Sequence, residues 1–189
     1  MKRSTIDKVL STIGLLMTAV LLIASGALFF TQNFIHTQVS QQLEPQKIVF
    51  PAADSTAINA LSAVDKEAVS KYAGQQVLTG AQANVFANNY IAAHIKTIGG
   101  GKSYSELSAA SMADPTNVKL SGQVNTIFKG ETLRGMLLNA YAFDTMSVVA
   151  LFAAYGAAIA GFIMLILSLL GFSHAERAVA KGKTVKKKK

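Results

Sequence analysis

Residues 9–30 read VLSTIGLLMTAVLLIASGALFF and residues 146–172 read MSVVALFAAYGAAIAGFIMLILSLLGF, with no charged residue in either. These two runs decide the fold. An α-helix rises about 1.5 Å per residue, so about 20 apolar residues cross a ~30 Å hydrocarbon layer. Both runs pass that test, and neither shows an amphipathic stripe. A helix that is apolar all round has to be buried in protein or in lipid. A chain of 189 residues is too short to enclose two such helices in a soluble core, which leaves lipid. The first run follows Lys2, Arg3 and Lys8 and contains Ser25-Gly26-Ala27, which resembles the layout of a secretory signal. Its apolar core is longer than the ~7–15 residues of a signal peptide, so an uncleaved anchor is expected.

Working outward from the runs, the charge becomes legible. The chain carries a formal +8. Residues 1–8 hold Lys2, Arg3 and Lys8 against Asp7, and residues 173–189 hold Arg177, Lys181, Lys183 and Lys186 to Lys189 against Glu176. Between the runs eight basic residues meet eight acidic ones. The whole excess therefore lies in the two tails. Positive flanks stay on the cytoplasmic side of a membrane, so both termini are expected there. The lysines Lys186, Lys187, Lys188 and Lys189 then face anionic lipid headgroups, each worth about 1 kcal/mol near the surface. No aromatic residue interleaves these lysines, and nucleic acid is not an expected partner.

The segment between the runs reads as a set of short helices. The first span is expected to continue past the bilayer to Leu43, where Glu44-Pro45 stops it. KIVFP (Lys47 to Pro51) alone has strand character. Asp54 or Ser55 caps an expected helix over Thr56 to Val64, and Asp65 to Tyr72 continues or restarts it. Thr79 opens the best pattern. Ala83, Phe86, Ala87, Tyr90, Ile91, His94, Ile95 and Ile98 share one face at helical spacing, and Gly99-Gly100-Gly101 ends it. Ser103 to Ala113 and Asn117 to Phe128 are two further helices, and Gly130 to Gly135 leads into the second span.

Chemistry is sparse. With no cysteine in the chain, disulfides, thiol catalysis and cysteine-ligated metals are excluded. The three histidines, His36, His94 and His174, stand at no metal-ligand spacing, so neither a metal nor a cofactor is expected. Gly101-Lys102-Ser103 matches the end of a phosphate loop, but Lys96 stands where the leading glycine belongs and a helix precedes it. A glycine linker is the expectation there. Phe86, Tyr90 and His94 form the candidate ligand or core face. In the spans, Ala150, Ala154, Ala157, Ala158 and Gly161 are small residues at close spacing, with Gly14 and Thr18 as their expected counterparts in the first span or another chain as partner.

The stretches KYAGQQVLTGAQANVFANNYIAAHI (Lys71 to Ile95), GKSYSE, MADP and GETLRGMLLNAYAF (Gly130 to Phe143) resemble a group of uncharacterised actinobacterial two-span membrane proteins. The resemblance runs from KIVFP to the LGF at Leu170 to Phe172, and it implies a plasma membrane facing a cell envelope. Members of the group are often labelled as an aromatic-ring-opening dioxygenase subunit. That chemistry needs an iron site of histidines and a carboxylate, for which this chain has no spacing.

The expected fold is an all-α membrane protein: two transmembrane helices extended as stalks, with a small helical extracytoplasmic domain inserted between them. The expected boundaries are a basic N-terminus over 1–8, spans at 9–31 and 146–172, the domain at 32–145 and the lysine-rich tail over 173–189. The expected function is non-enzymatic. The chain would be an accessory or scaffolding component of an envelope membrane complex, with a protein partner or a second copy of itself. The alternative is an extracytoplasmic ligand-binding or sensor module with a closed apolar pocket around Phe86, Tyr90 and His94.

Overall fold

A computed structural model describes residues 3–186, with side chains over 4–180. The described chain is helical throughout its regular structure. Helix α1 spans Arg3–Leu43, followed by a 3₁₀ turn at Glu44–Gln46. Short helices follow: α2 (Thr56–Asn59), α3 (Ala63–Ser70), α4 (Gly80–Val85), a π-helical turn (Phe86–Ile91), α5 (Ala92–Ile98) and α6 (Tyr104–Ala113). Helix α7 then runs over Val118–Lys186. Two of these helices, α1 and α7, are long and apolar enough to cross a membrane. KIVFP is reduced to a single antiparallel bridge, Val49 with Gln76.

Sequence-level punctuation explains most of the ends. Pro45 sits in the first turn of the 3₁₀ segment and α1 stops at Leu43. Ser55, Ser62, Thr79 and Ser103 each accept a backbone N–H at a helix start, filling donors that a first turn leaves unpaired. Thr79 and Ser103 form full capping boxes with Gln82 and Glu106. The helix expected over Thr56 to Val64 is broken, because Ser62 caps a new helix from Ala63 instead. The helix expected over Asn117 to Phe128 does not end there, and α7 runs on through Gly130 and Gly135 into the second apolar run. At Gly130 a Cβ would run into the Ile95 side chain, so glycine there lets α5 lie against α7.

Two compact units emerge. One comprises Met1–Asn33 with Val148–Lys189, the other Phe34–Ser147.

In the first unit the two helices meet along a seam of small residues. Ser11, Thr18 and Ser25 are buried at intervals of seven on α1, and Ala154, Gly161, Ser168 and Ala175 are buried at intervals of seven on α7. A strict seven-residue repeat gives a left-handed supercoil. Ser25 Oγ donates to the Ala154 carbonyl at 2.9 Å, and Thr18 Oγ1 to the Gly14 carbonyl at 2.9 Å. Outside the seam the surface is apolar and open, with Leu10, Ile23, Phe152 and Leu170 all exposed.

The second unit has an ordinary core. Phe50, Ile58, Val69, Val77, Phe86 and Leu107 fill it from the segment between the long helices, with Val39 and Leu43 from α1 and Ile127 and Leu137 from α7. KIVFP contributes its phenylalanine. The Phe50 amide donates to Gln75 O at 2.9 Å and the Val77 amide to Ile48 O at 2.8 Å, which pins Phe50 against Phe86, ring centroids 5.0 Å apart, edge to face.

Candidate functional site

The face predicted from helical spacing runs through the π-helical turn. Phe86, Tyr90 and His94 stack in sequence, with ring centroids 4.9 Å apart for Phe86–Tyr90 and 4.4 Å for Tyr90–His94. Phe86 is buried and belongs to the core, while Tyr90 and His94 are half-buried at its margin. His94 Nδ1 lies 2.8 Å from the Tyr90 carbonyl. A carbonyl only accepts, so Nδ1 carries the proton. The opposite side of the turn is polar. Asn89 Nδ2 donates to Asp65 Oδ1 at 2.9 Å, and Asn88 Nδ2 donates to Asn84 Oδ1 at 2.8 Å. The Ser62 hydroxyl, and after it the Asn89 amide, hold the Asp65 carboxyl below the usual carboxylate range.

Among the small residues singled out in the spans, Gly14, Thr18, Ala154 and Gly161 are buried, and Ala150, Ala157 and Ala158 are half-buried. A Cβ on Gly14 would collide with the Ser168 hydroxyl, and one on Gly161 would press on Leu22. The seam thus follows sevens rather than the fours read along the alanines. Lys186 is the last helical residue. Its side chain, together with Lys187, Lys188 and Lys189, lies outside the described residues.

A constellation that spacing did not bring together sits at the second unit's own anchor point. Asp144, on α7, is mostly buried, its side chain 13% exposed. Its Oδ2 accepts the Gly80 N–H at 3.0 Å. Its Oδ1 lies 2.9 Å from His36 Nδ1, on α1. One carboxylate therefore ties three elements of the unit: the end of α1, α7, and the N-terminus of the helical run that starts at Gly80. Thr79 fills the third donor of that run and Asp144 the first, where the helix dipole favours a negative charge. A Cβ on Gly80 would meet Asp144 Cβ inside contact distance, so the close approach requires glycine. The available signal was positional. His36 and Asp144 are the titratable groups nearest the two apolar runs on the side of the central segment, but nothing local pairs residues 108 apart.

Replacing Asp144 with alanine is expected to cost about 1.5–3 kcal/mol, the range for a hydrogen bond made by a charged group. Hydrogen exchange at the amides of Gly80 to Gln82 should accelerate more than at α6. Asp144→Asn, which keeps an acceptor for Gly80, should lose less. Equal exchange in wild type and Asp144→Ala would show that the carboxylate does not hold the helix start.

A groove of about 550 Å³ lies in the second unit between the end of α1 and α7. Its apolar wall is Phe34, Val39 and Leu43 on one side and Leu137, Ala140 and Phe143 on the other. Gln38, Gln42 and Gln46, spaced four residues apart, and Asn139 also line it, and no charged residue does. Val39, Leu43 and Leu137 form a buried floor, while Phe34, Met136 and Phe143 are more than half exposed. The size and the apolar lining with a few polar groups are those of a binding site. The aromatic stack at Phe86, Tyr90 and His94 contributes nothing to it.

Comparison with protein-family models, with curated proteins and with solved structures returned no significant match.

Proposed function

We propose that this chain is a two-span membrane protein with both termini cytoplasmic. In this reading the unit over 34–147 stands on the far side, as an accessory component of a membrane complex, and its groove receives an apolar helix of a partner membrane protein. The groove carries the reading. It is free of charge, it runs about 18 Å from residue 34 to residue 46 at ~1.5 Å per residue, and that is about three turns of a docked helix. Its glutamines recur at one-turn intervals, the spacing at which a helix in a groove presents successive side chains. It also begins four residues beyond Phe30 on the same helix as the first apolar run. A charge-free lining with amide side chains suits an apolar helix that carries a few hydrogen-bonding groups.

Two features supplement the groove. The apolar faces of α1 and α7 are exposed along the runs, which lipid would cover. The basic tails favour a cytoplasmic location for both ends. A cell-envelope setting is what the resemblance to the actinobacterial two-span group implies.

A photo-crosslinking residue at Met136, on the groove edge, is expected to give a discrete protein adduct in native membranes. The same residue at Asn125, outside the groove, should give none. Peptide mapping should place the adduct in an apolar helix of the partner, and Ala140→Trp, which fills the groove, should abolish it. Equal adducts at both positions, or lipid adducts alone at Met136, would contradict helix docking; the second outcome would favour a small apolar ligand.

A further inference from the structure

The glycine turn that failed as a phosphate loop closes a second, polar cleft. Gly100 and Gly101 have φ of 59° and 81°, in the left-handed region that suits glycine. The Gly101 amide donates to Lys96 O at 2.8 Å and the Lys102 amide to Gly99 O at 3.1 Å. The chain reverses there and brings Lys102 back beside Lys96. Arg134 of α7 lies across from them, and the cleft they share measures about 270 Å³.

The charges around it are unequal in availability. Of the two carboxylates in the lining, Glu106 is engaged by Ser103. The Ser103 N–H and then its hydroxyl hold Glu106 below the usual carboxylate range. Glu131 accepts from Arg134 Nη1 at 3.2 Å. Arg134 Nη2 is used as well, donating to Asn88 Oδ1 at 3.1 Å. Its Nε is buried and has no hydrogen-bond partner among the described residues. A buried donor without an acceptor is rare in folded proteins and calls for an explanation. Lys96 and Lys102 are exposed at the rim, and neither forms a salt bridge within 4.0 Å among the described residues.

We infer that this cleft binds a phosphate group, with Arg134 Nε at its base and Lys96 and Lys102 closing on it from the rim. One N–H of each Arg134 terminal nitrogen already goes to Glu131 or Asn88, which leaves the fork less open to the parallel bidentate pairing that a planar carboxylate prefers. One guanidinium N–H and two ammonium groups arriving from separate directions suit a tetrahedral oxyanion with acceptors on several sides. Lysine serves such groups as a point charge. The phosphate belongs either to a soluble ester or to a lipid headgroup, and both present the same oxygens.

The test uses the full chain in a neutral detergent and titrates inorganic phosphate by calorimetry at constant ionic strength, with chloride as the control. Saturable binding is expected. Lys96→Gln with Lys102→Gln should weaken it at least tenfold while leaving the thermal midpoint unchanged, since both side chains are exposed. Arg134→Lys, which keeps the charge and loses Nε, should weaken it as well. Nanodiscs containing phosphatidylglycerol form the second arm. If they displace bound phosphate the group is a headgroup, and if they leave it bound the ligand is soluble; either result supports the site. Absence of saturable phosphate binding, or binding that survives the double lysine substitution, overturns it.

Discussion

A fragment cut to residues 45–130 is expected to show no cooperative thermal transition. The short helices lie within that range, but the core that holds them does not. Val39 and Leu43 from α1 and Leu137 from α7 are 6%, 2% and 1% exposed and pack in one cluster with Phe50, Ile58 and Val77. Fully burying a Val or Leu side chain is worth about 1.5–3 kcal/mol. Losing three removes an amount comparable to the ~5–15 kcal/mol that keeps a domain folded. Asp144 and His36 are lost as well, so the helix start at Gly80 loses its carboxylate. The fragment should resemble a collapsed, partly helical chain by circular dichroism, with broad unfolding. A sharp transition would show that the segment between the long helices is a self-sufficient domain.

The second large effect is expected in the first unit. Gly14 lies against Ser168 and Gly171 against Ser11, and a Cβ on either glycine would collide with the facing hydroxyl. Turning the serine hydroxyl could clear a Cβ alone, but leucine adds three further carbons at each position, which are expected to push the helices apart. In lipid there is no hydrophobic gain from keeping them together, because association rests on close packing and interhelical hydrogen bonds. The Ser25 hydroxyl bond to the Ala154 carbonyl would go with the separation. A cysteine pair placed on the seam, at Leu21 and Gly161, whose Cβ positions approach closely, should crosslink readily in the parent background and fail in Gly14→Leu/Gly171→Leu. Undiminished crosslinking in the double variant would mean that the seam is not what joins the helices. Leucine at Gly26, where a Cβ meets nothing within 4 Å, serves as the control.

How much of this was legible in the sequence depends on the range of the interaction. The two apolar runs were readable because length and lack of charge are local properties. Caps at Ser55, Thr79 and Ser103 were readable or nearly so, since a hydroxyl three residues before its donor is a short-range pattern. The break at Ser62 was missed because an apolar face continued through it. The joining of the Asn117 to Phe128 helix to the second span was missed for the opposite reason: Gly130 looks like a breaker until Ile95 is seen packed on it. The seam was hidden because hydropathy scarcely separates serine, glycine and alanine from their neighbours in an apolar run, although the interval of seven was present. The candidate sites were least visible. The groove needs residues 34–46 and 136–143 side by side, and the phosphate cleft joins Lys102 to Arg134 through a fold no local spacing specifies.

The proposed membrane hairpin, with its helical unit on the far side, is directly measurable because the chain has no native cysteine. Single cysteines at Glu67, exposed on α3, and at Arg177, beyond the second apolar run, are exposed to a membrane-impermeant maleimide in intact cells. The account predicts labelling at position 67 and none at position 177 until the membrane is permeabilised. Labelling at 177 in intact cells, or protection of 67, would contradict it.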